Sequence, residues 1–269
     1  MANRMSRRVA VFFGMSFAVS WTAWGLLLPL ARGGAVSYGD PLFMALYMFG
    51  GLGPTIAAVA AVLATPGQGS LAEFKGRLLR WRLGGWWYLV AVGMPVGLAV
   101  ASVGVEARLL GRTLSFRPWY MFLALLVLML AGGGLEELGW RGVAQPELER
   151  GMRRPGAALL TGFVWATWHM PLFVLPGVSQ YKMYFPIFAV NILGMALILA
   201  WLYGRTGSIL LCILFHASSN AVVALGFTVP SSQRWLALAN ALLTVSVGCV
   251  LLAQRSGAVR TKRCTRSAG

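Results

Sequence analysis

The sequence is poor in acidic residues and in charge generally. Of its 269 residues only 7 are acidic and 11% are charged, whereas a soluble domain carries roughly 25% charged residues. The apolar share is 58% and the mean hydropathy is +0.71. These values exclude an ordinary soluble domain and predict an all-α polytopic membrane protein built as one helical bundle.

Cysteine and histidine are also scarce. Cys212, Cys249 and Cys264 form no CxxC pair, and two of them lie inside apolar runs. The sequence therefore indicates neither a disulfide framework nor a thiolate metal site. The chain has only two histidines, His169 and His216.

Basic residues outnumber acidic ones, and the formal net charge is +16. The basic residues fall in short segments between apolar runs rather than in one stripe. This pattern is typical of the loops of a membrane protein in contact with anionic lipids, and not of a nucleic-acid-binding surface. Placing both termini in the cytoplasm puts the most basic loops and both basic tails on one side. We expect an integral protein of the plasma (cytoplasmic) membrane, with membrane lipids as partners and an oligomeric state that the sequence leaves open.

Apolar runs of about 20 residues, the length that crosses a bilayer, occur repeatedly. We expect about eight transmembrane helices, at residues 9–31, 41–64, 86–105, 119–137, 157–175, 183–203, 208–225 and 235–253. The first follows a basic N-terminus but is long enough to span, so we expect it to remain as an uncleaved helix. The chain divides into N-terminal helices (1–115), a core with the fourth to seventh helices (116–228), and a last helix with a basic cytoplasmic tail (229–269).

Two of the seven acidic residues, Glu136 and Glu137, stand side by side at the end of the fourth apolar run. Ionisable residues at membrane depth are rare and functional by default. Glu137 and Arg141 are four residues apart, so they share a helix face and can pair. Glu136 lies about 100° away around the axis and is left without that partner, which suits a general base. The alternative is that both glutamates face interfacial water and merely end the helix.

Both histidines lie inside apolar runs, His169 in the fifth and His216 in the seventh. Asn220 follows His216 by four residues and shares its helix face, so the pair offers two neutral donors at one point. Such a pair suits an oxyanion, to which each preorganised donor contributes about 3 kcal/mol. These strongly polar groups on three helices predict one shared intramembrane active site.

Three motifs occur in order along the fourth, fifth and seventh helices: EELGWR (136–141), WATWH (165–169) and HASSN (216–220). With them, residues 120 to 225 resemble the CAAX-protease and bacteriocin-processing (CPBP, or ABI) family of intramembrane proteases, which includes the type II CAAX prenyl endopeptidases. Residues 116–228 would then be the CPBP-like catalytic core. The family usually has phenylalanine where this chain has Trp165. We expect this difference to affect packing beside His169 and not its chemistry.

The resemblance implies an intramembrane endopeptidase that hydrolyses a peptide bond near the membrane surface. In such proteases Glu136 and His169 would activate water, while His216 and Asn220 would stabilise the oxyanion. The residues expected to support these four groups are Glu137, Arg141 and Trp165. The implied partner is a peptide or protein substrate at the membrane, and nothing in the sequence indicates whether it is prenylated.

No cofactor is favoured, and zinc is the alternative. A zinc-dependent version of the same protease would use Glu136, His169 and His216 as a His₂Glu ligand set with an open position. The chain has no HExxH motif, which favours the metal-free water mechanism. Three competing hypotheses stay open: a non-proteolytic membrane immunity or scaffold protein of the same fold, a haem b carrier ligated by the two histidines, and a transporter.

Overall fold

The computed structural model describes residues 6–66, 70–111, 117–226 and 234–254, and within these ranges the chain contains no strand. Two 3-10 helices, Gly134–Glu136 and Met170–Val174, and a π-helix, Trp140–Ala144, interrupt the α-helical elements. The α-helices are α1 (Arg7–Arg32), α2 (Pro41–Gly51), α3 (Gly53–Ala64), α4 (Leu71–Leu78), α5 (Gly85–Leu110), α6 (Met121–Ala131), α7 (Glu137–Gly139), α8 (Gln145–Leu148), α9 (Arg154–Trp168), α10 (Phe185–Thr206), α11 (Ile209–Ala224) and α12 (Arg234–Ala253).

The predicted all-α polytopic membrane fold is confirmed. Among the described residues, 6 helical segments are long and apolar enough to cross a membrane, and the bent pair α2–α3 makes up to 7. The pair bends by 42° because Pro54 lacks an N–H and its ring clashes with the preceding turn. The predicted span at 208–225 is the apolar helix α11, whose 16 residues fall just short of the length that crosses a bilayer alone.

The fourth span differs most from its prediction. We expected it to end near Glu137 and to be followed by a polar stretch, but the helical segment runs from Met121 to Leu148. The reason is that Trp140 and Arg141 are fully buried, and the charge of Arg141 is neutralised inside the bundle by Glu137. A paired charge need not leave the apolar interior.

Local signals fix several helix starts. Ser6 and Ser208 each accept a backbone N–H at the start of α1 and α11. Ser70 and Glu73 form a capping box on α4, in which each side chain satisfies the other residue's backbone N–H. These caps set where α4 and α11 enter the bundle.

Packing places the short central helix α7 between α3 and α11. Around it, α1 packs against α2 and α3, α11 packs against α5 and α6, and α10 packs against α9 and α12. The largest fully buried side chains include four tryptophans from three different spans: Trp24, Trp140, Trp165 and Trp168. The bundle therefore surrounds the EELGWR segment with an aromatic core.

Candidate active site

The EELGWR segment is held in an irregular helix. After α6 ends at Ala131, Gly133 adopts a φ of +136°, a value that residues with a Cβ rarely reach. The chain then passes through a 3-10 turn, α7 and the π-helix before α8. Such π-segments occur frequently at functional sites.

Glu137 and Arg141 form the predicted ion pair. Arg141 Nη1 lies 3.2 Å from Glu137 Oε1 and 3.0 Å from Oε2, and both side chains are fully buried. Arg141 Nη2 also donates to the carbonyl oxygen of Ala196 on α10 at 3.4 Å. The (i, i+4) prediction from sequence is confirmed, and the pair links the fourth span to α10.

His216 also forms a hydrogen bond with the carboxylate of Glu137. Its Nδ1 lies 3.0 Å from Glu137 Oε1, across 79 residues of sequence. Because a carboxylate only accepts hydrogen bonds, Nδ1 is the donor. Helical spacing predicted Arg141 alone as a partner of Glu137, so this second contact was not expected.

Glu136 has its own, separate partners. Its Oε2 accepts a hydrogen bond from Trp165 Nε1 at 2.8 Å and a longer one from Trp140 Nε1 at 3.3 Å. Only 7% of the residue is exposed. The two adjacent glutamates therefore differ, as expected, but the indole donors of Glu136 were not among the partners that the sequence suggested.

Trp165 lies at the centre of the site and contacts most of its residues. Besides Glu136, its ring meets the guanidinium of Arg141 at 5.2 Å and the ring of His216 at 5.1 Å in an edge-on arrangement. Its carbonyl oxygen lies 2.9 Å from Nδ1 of His169. We expected Trp165 to affect packing beside His169 and not the chemistry of His169. The structure adds a contact that this expectation did not include, because the indole N–H, which phenylalanine lacks, donates to Glu136.

His169 lies at the C-terminal end of α9 rather than within it. Because a carbonyl oxygen only accepts, Nδ1 carries the hydrogen that binds Trp165 O, and the neutral ring then has its lone pair on Nε2. The ring is buried against Trp168, at 4.6 Å between centroids, and Phe188 of α10, at 5.1 Å. Two edge-on aromatic contacts and one hydrogen bond fix its orientation.

Asn220 and His216 converge on Gly133. Asn220 Nδ2 donates to the carbonyl oxygen of Gly132 at 3.2 Å. A Cβ on Gly133 would overlap Asn220 Nδ2 and would lie 3.3 Å from His216 Nε2. Both side chains thus approach the backbone of residue 133 closely, which glycine permits. The sequence predicted two neutral donors here, but with its hydrogen on Nδ1 the neutral ring of His216 has an acceptor at Nε2.

The structure brings the predicted residues into two connected groups. One contains Glu137, Arg141 and His216, with Asn220 beside His216 at Gly133. The other is centred on Trp165, whose indole bonds to Glu136 and whose carbonyl oxygen bonds to His169; no described hydrogen bond joins Glu136 to His169 directly. Trp165 also contacts Arg141 and His216 and so connects the two groups. Sequence reasoning missed Trp140 and Gly133. Both had a signal: Trp140 follows Glu136 by four residues, and Gly133 is the middle of three consecutive glycines.

The three residues of the alternative zinc set are not gathered into a metal-binding cluster among the described residues. Among the described residues, no group of three or more His, Cys, Asp or Glu side chains is arranged so that it could hold a metal ion. His216 directs Nδ1 at Glu137. The indole of Trp165 lies against both histidine rings, 6.2 Å from that of His169 and 5.1 Å from that of His216.

Comparisons with known proteins agree with the motif assignment. The family model described as Type II CAAX prenyl endopeptidase Rce1-like matches residues 118–222. The predicted family resemblance is confirmed for this segment. It contains EELGWR, WATWH and HASSN, and thus every residue that we expected to be catalytic or supporting.

A curated relative gives the same assignment over a longer stretch. The chain is 30% identical, over 138 residues, to a protein of Methanococcus maripaludis named CAAX prenyl protease 2. The match covers 49% of this chain and 47% of the relative. The chain thus spans about half the length of the curated relative that it matches.

Proposed function

We propose that this protein is an intramembrane endopeptidase of the CAAX type, with Glu136 as the general base. The observation that carries the proposal is the arrangement around Glu136. Both indole donors reach Oε2, and no described residue donates to Oε1. A carboxylate fixed through one oxygen keeps the other for a water molecule, as general base catalysis requires.

His169 supports the same step. With Nδ1–H bonded to the carbonyl oxygen of Trp165, Nε2 can accept a hydrogen bond from the water that Glu136 deprotonates. The water oxygen then attacks the carbonyl carbon of the scissile peptide bond, and its proton moves to Glu136. As the tetrahedral intermediate collapses, Glu136 returns this proton to the leaving amine nitrogen.

His216 and Asn220 form the proposed oxyanion hole. Asn220 carries two amide hydrogens, one used by Gly132 O and one left for the substrate. His216 Nε2 donates only when the ring carries both protons, because Nδ1–H is already bonded to Glu137. Glu137, held by Arg141, is placed to stabilise that positive charge. In this proposal Glu137 and Arg141 are positioning residues.

The zinc-dependent alternative has no ligand set among the described residues, so no step here passes through a metal. We further propose that both termini are cytoplasmic and that the host membrane is the plasma membrane, on the basis of the basic loops. The substrate class is a peptide or protein presented at the membrane. The name of the relative suggests a prenylated C-terminal CAAX sequence as the first substrate to test.

The test compares the wild type with Glu136→Gln, each purified and reconstituted in lipid vesicles. The probe is a fluorogenic peptide ending in a CAAX sequence, offered with and without a farnesyl group. We expect cleavage by the wild type and a loss of at least about 100-fold in Glu136→Gln, with an unchanged melting temperature. Glu149→Gln, which changes a partly exposed glutamate, is the matched control and should cleave like the wild type.

The outcomes distinguish a protease from a non-proteolytic protein of the same fold. Cleavage retained in Glu136→Gln contradicts the mechanism. If neither peptide is cleaved, membrane peptides from cells carrying wild type and Glu136→Gln are compared by mass spectrometry. Identical peptide profiles in those cells would favour an immunity or scaffold protein.

A further inference from the structure

Away from the active site, a cavity of about 430 Å³ lies at the end of the bundle where α1 begins and α8 ends. Its charged lining consists of four arginines and two glutamates, a net charge of +2: Arg8, Arg77, Arg80, Arg150, Glu73 and Glu147. The arginines come from α1, from α4, from the linker after α4 and from the turn after α8. Three parts of the chain thus contribute arginines to one cavity, and Glu147 pairs with two of them, Arg8 at 3.7 Å and Arg150 at 3.1 Å.

The cavity is held in shape by contacts of its arginines. At its base, Arg8 is 4% exposed and donates to both the side chain and the carbonyl oxygen of Thr65. Arg77 donates to the hydroxyl of Tyr203 on α10 at 2.9 Å. These bonds hold the guanidinium groups in place before any ligand arrives, which lowers the entropic cost of binding.

Arg80 is fixed through its backbone, although the residue is exposed. Its carbonyl oxygen accepts a 2.8 Å hydrogen bond from Ser208 Oγ at the start of α11. Its guanidinium lies beside Gly207, where a Cβ would come within 3.0 Å of Nη1. Arg80 is therefore held at the cavity by its backbone while its side chain can reach a ligand from outside.

We propose that this cavity binds a phosphate group, supplied by the headgroup of an anionic phospholipid. Guanidinium groups match phosphate oxygens in charge and geometry, and basic pockets between transmembrane helices bind lipid headgroups. The apolar side chains beside the cavity favour a lipid over free phosphate. Leu79 and Trp81, next to Arg80, are 68% and 58% exposed, and such residues suit the membrane interface.

The test measures lipid binding by the full-length protein in mild detergent, by native mass spectrometry and thermal unfolding. The ligands are phosphatidylglycerol, phosphatidylcholine and inorganic phosphate. We expect the wild type to retain phosphatidylglycerol in preference to phosphatidylcholine and to be stabilised by it. Arg80→Gln should weaken that binding about fivefold, the usual effect of one arginine at a membrane surface, and Arg80→Lys should restore most of it.

Two further variants test the charge of the cavity. Glu73→Gln raises the net positive charge and keeps a capping-box acceptor for Ser70, so it should bind phosphatidylglycerol more tightly than the wild type. Arg82→Gln is the matched control. Arg82 stacks on Trp81 and does not line the cavity, so its removal should leave binding unchanged.

The phosphate site would be supported if inorganic phosphate displaces phosphatidylglycerol from the wild type and if this displacement is weaker in Arg80→Gln. Equal retention of phosphatidylglycerol by the wild type and Arg80→Gln would overturn it. Phosphate binding with no preference between the two lipids would overturn the headgroup as its source. Because the readout is binding and not cleavage, these outcomes are independent of the proposed protease activity.

Discussion

Trp165 Nε1 donates a 2.8 Å hydrogen bond to Oε2 of Glu136, from α9 to the irregular segment of the fourth span. Both residues are buried, so the bond operates in an environment with little competing water. Because this bond uses Oε2, the other oxygen of Glu136, Oε1, is left for a water molecule. Phenylalanine, the residue expected here from the family resemblance, could not form this bond.

Trp165→Phe keeps the ring and removes the donor. We expect kcat to fall about tenfold or more with KM little changed, because a hydrogen bond to a charged group contributes about 1.5–3 kcal/mol. Steady-state kinetics on the peptide substrate measure this change. Trp24→Phe is the control, since Trp24 is equally buried but donates to the backbone carbonyl oxygen of Tyr47 and not to Glu136. A Trp165→Phe enzyme with wild-type kcat would show that the indole N–H has no role.

Glu137→Gln should destabilise the protein strongly. It leaves Arg141 buried without its counter-ion, and breaking a buried pair in this way costs about 3–5 kcal/mol. Thermal unfolding in detergent measures the loss. Glu149→Gln breaks a more exposed pair with Arg154 and should cost at most about 1 kcal/mol. Similar melting temperatures for the two variants would contradict the prediction.

Asn220→Ala tests the oxyanion donor. We expect kcat to fall by about 10²–10³, the usual effect of removing one such donor, while the melting temperature changes little. The neighbouring variant Ser219→Ala should be neutral, because Ser219 Oγ bonds only to Phe215 O of its own helix among the described contacts. Equal kcat values for Asn220→Ala and Ser219→Ala would remove Asn220 from the mechanism.

Metal removal should leave activity intact. We expect the purified protein to cleave its substrate after prolonged treatment with a chelator, since the described residues provide no ligand cluster. Elemental analysis of the same sample should find zinc well below one equivalent. Activity that disappears with chelator and returns with added zinc would support the zinc-dependent alternative.

Contacts between residues of the same helix were predicted well from the sequence. The contact between Glu137 and Arg141 depends only on their spacing of four residues, which α7 and the π-helix preserve. The same spacing places Asn220 near His216, where both face Gly133. Interactions within one turn of a helix follow from periodicity, so they needed no knowledge of the tertiary fold.

Contacts between helices were not predictable in the same way. The bond from His216 to Glu137 spans 79 residues, and the bond from Trp165 to Glu136 spans 29. Helical periodicity identifies a face but not the neighbour that packs against it. A tryptophan in an apolar run indicates packing alone until a buried carboxylate is found within reach of its N–H. The roles of these residues in catalysis, and the division of the chain into three parts, remain predictions.

The fourth span, Met121–Leu148, contains the counter-ion of Glu137. It does not contain the closer of the two hydrogen-bond donors to Glu136. Arg141 neutralises Glu137 within a single turn, so that pair can enter the membrane without help from later segments. Glu136 finds a 3.3 Å donor in Trp140, but its 2.8 Å donor, Trp165, belongs to the next span. A carboxylate at the bilayer centre costs about 2.5–3.5 kcal/mol. The hydrogen bonding of Glu136 is therefore complete only after α9 has been synthesised and has packed beside the fourth span.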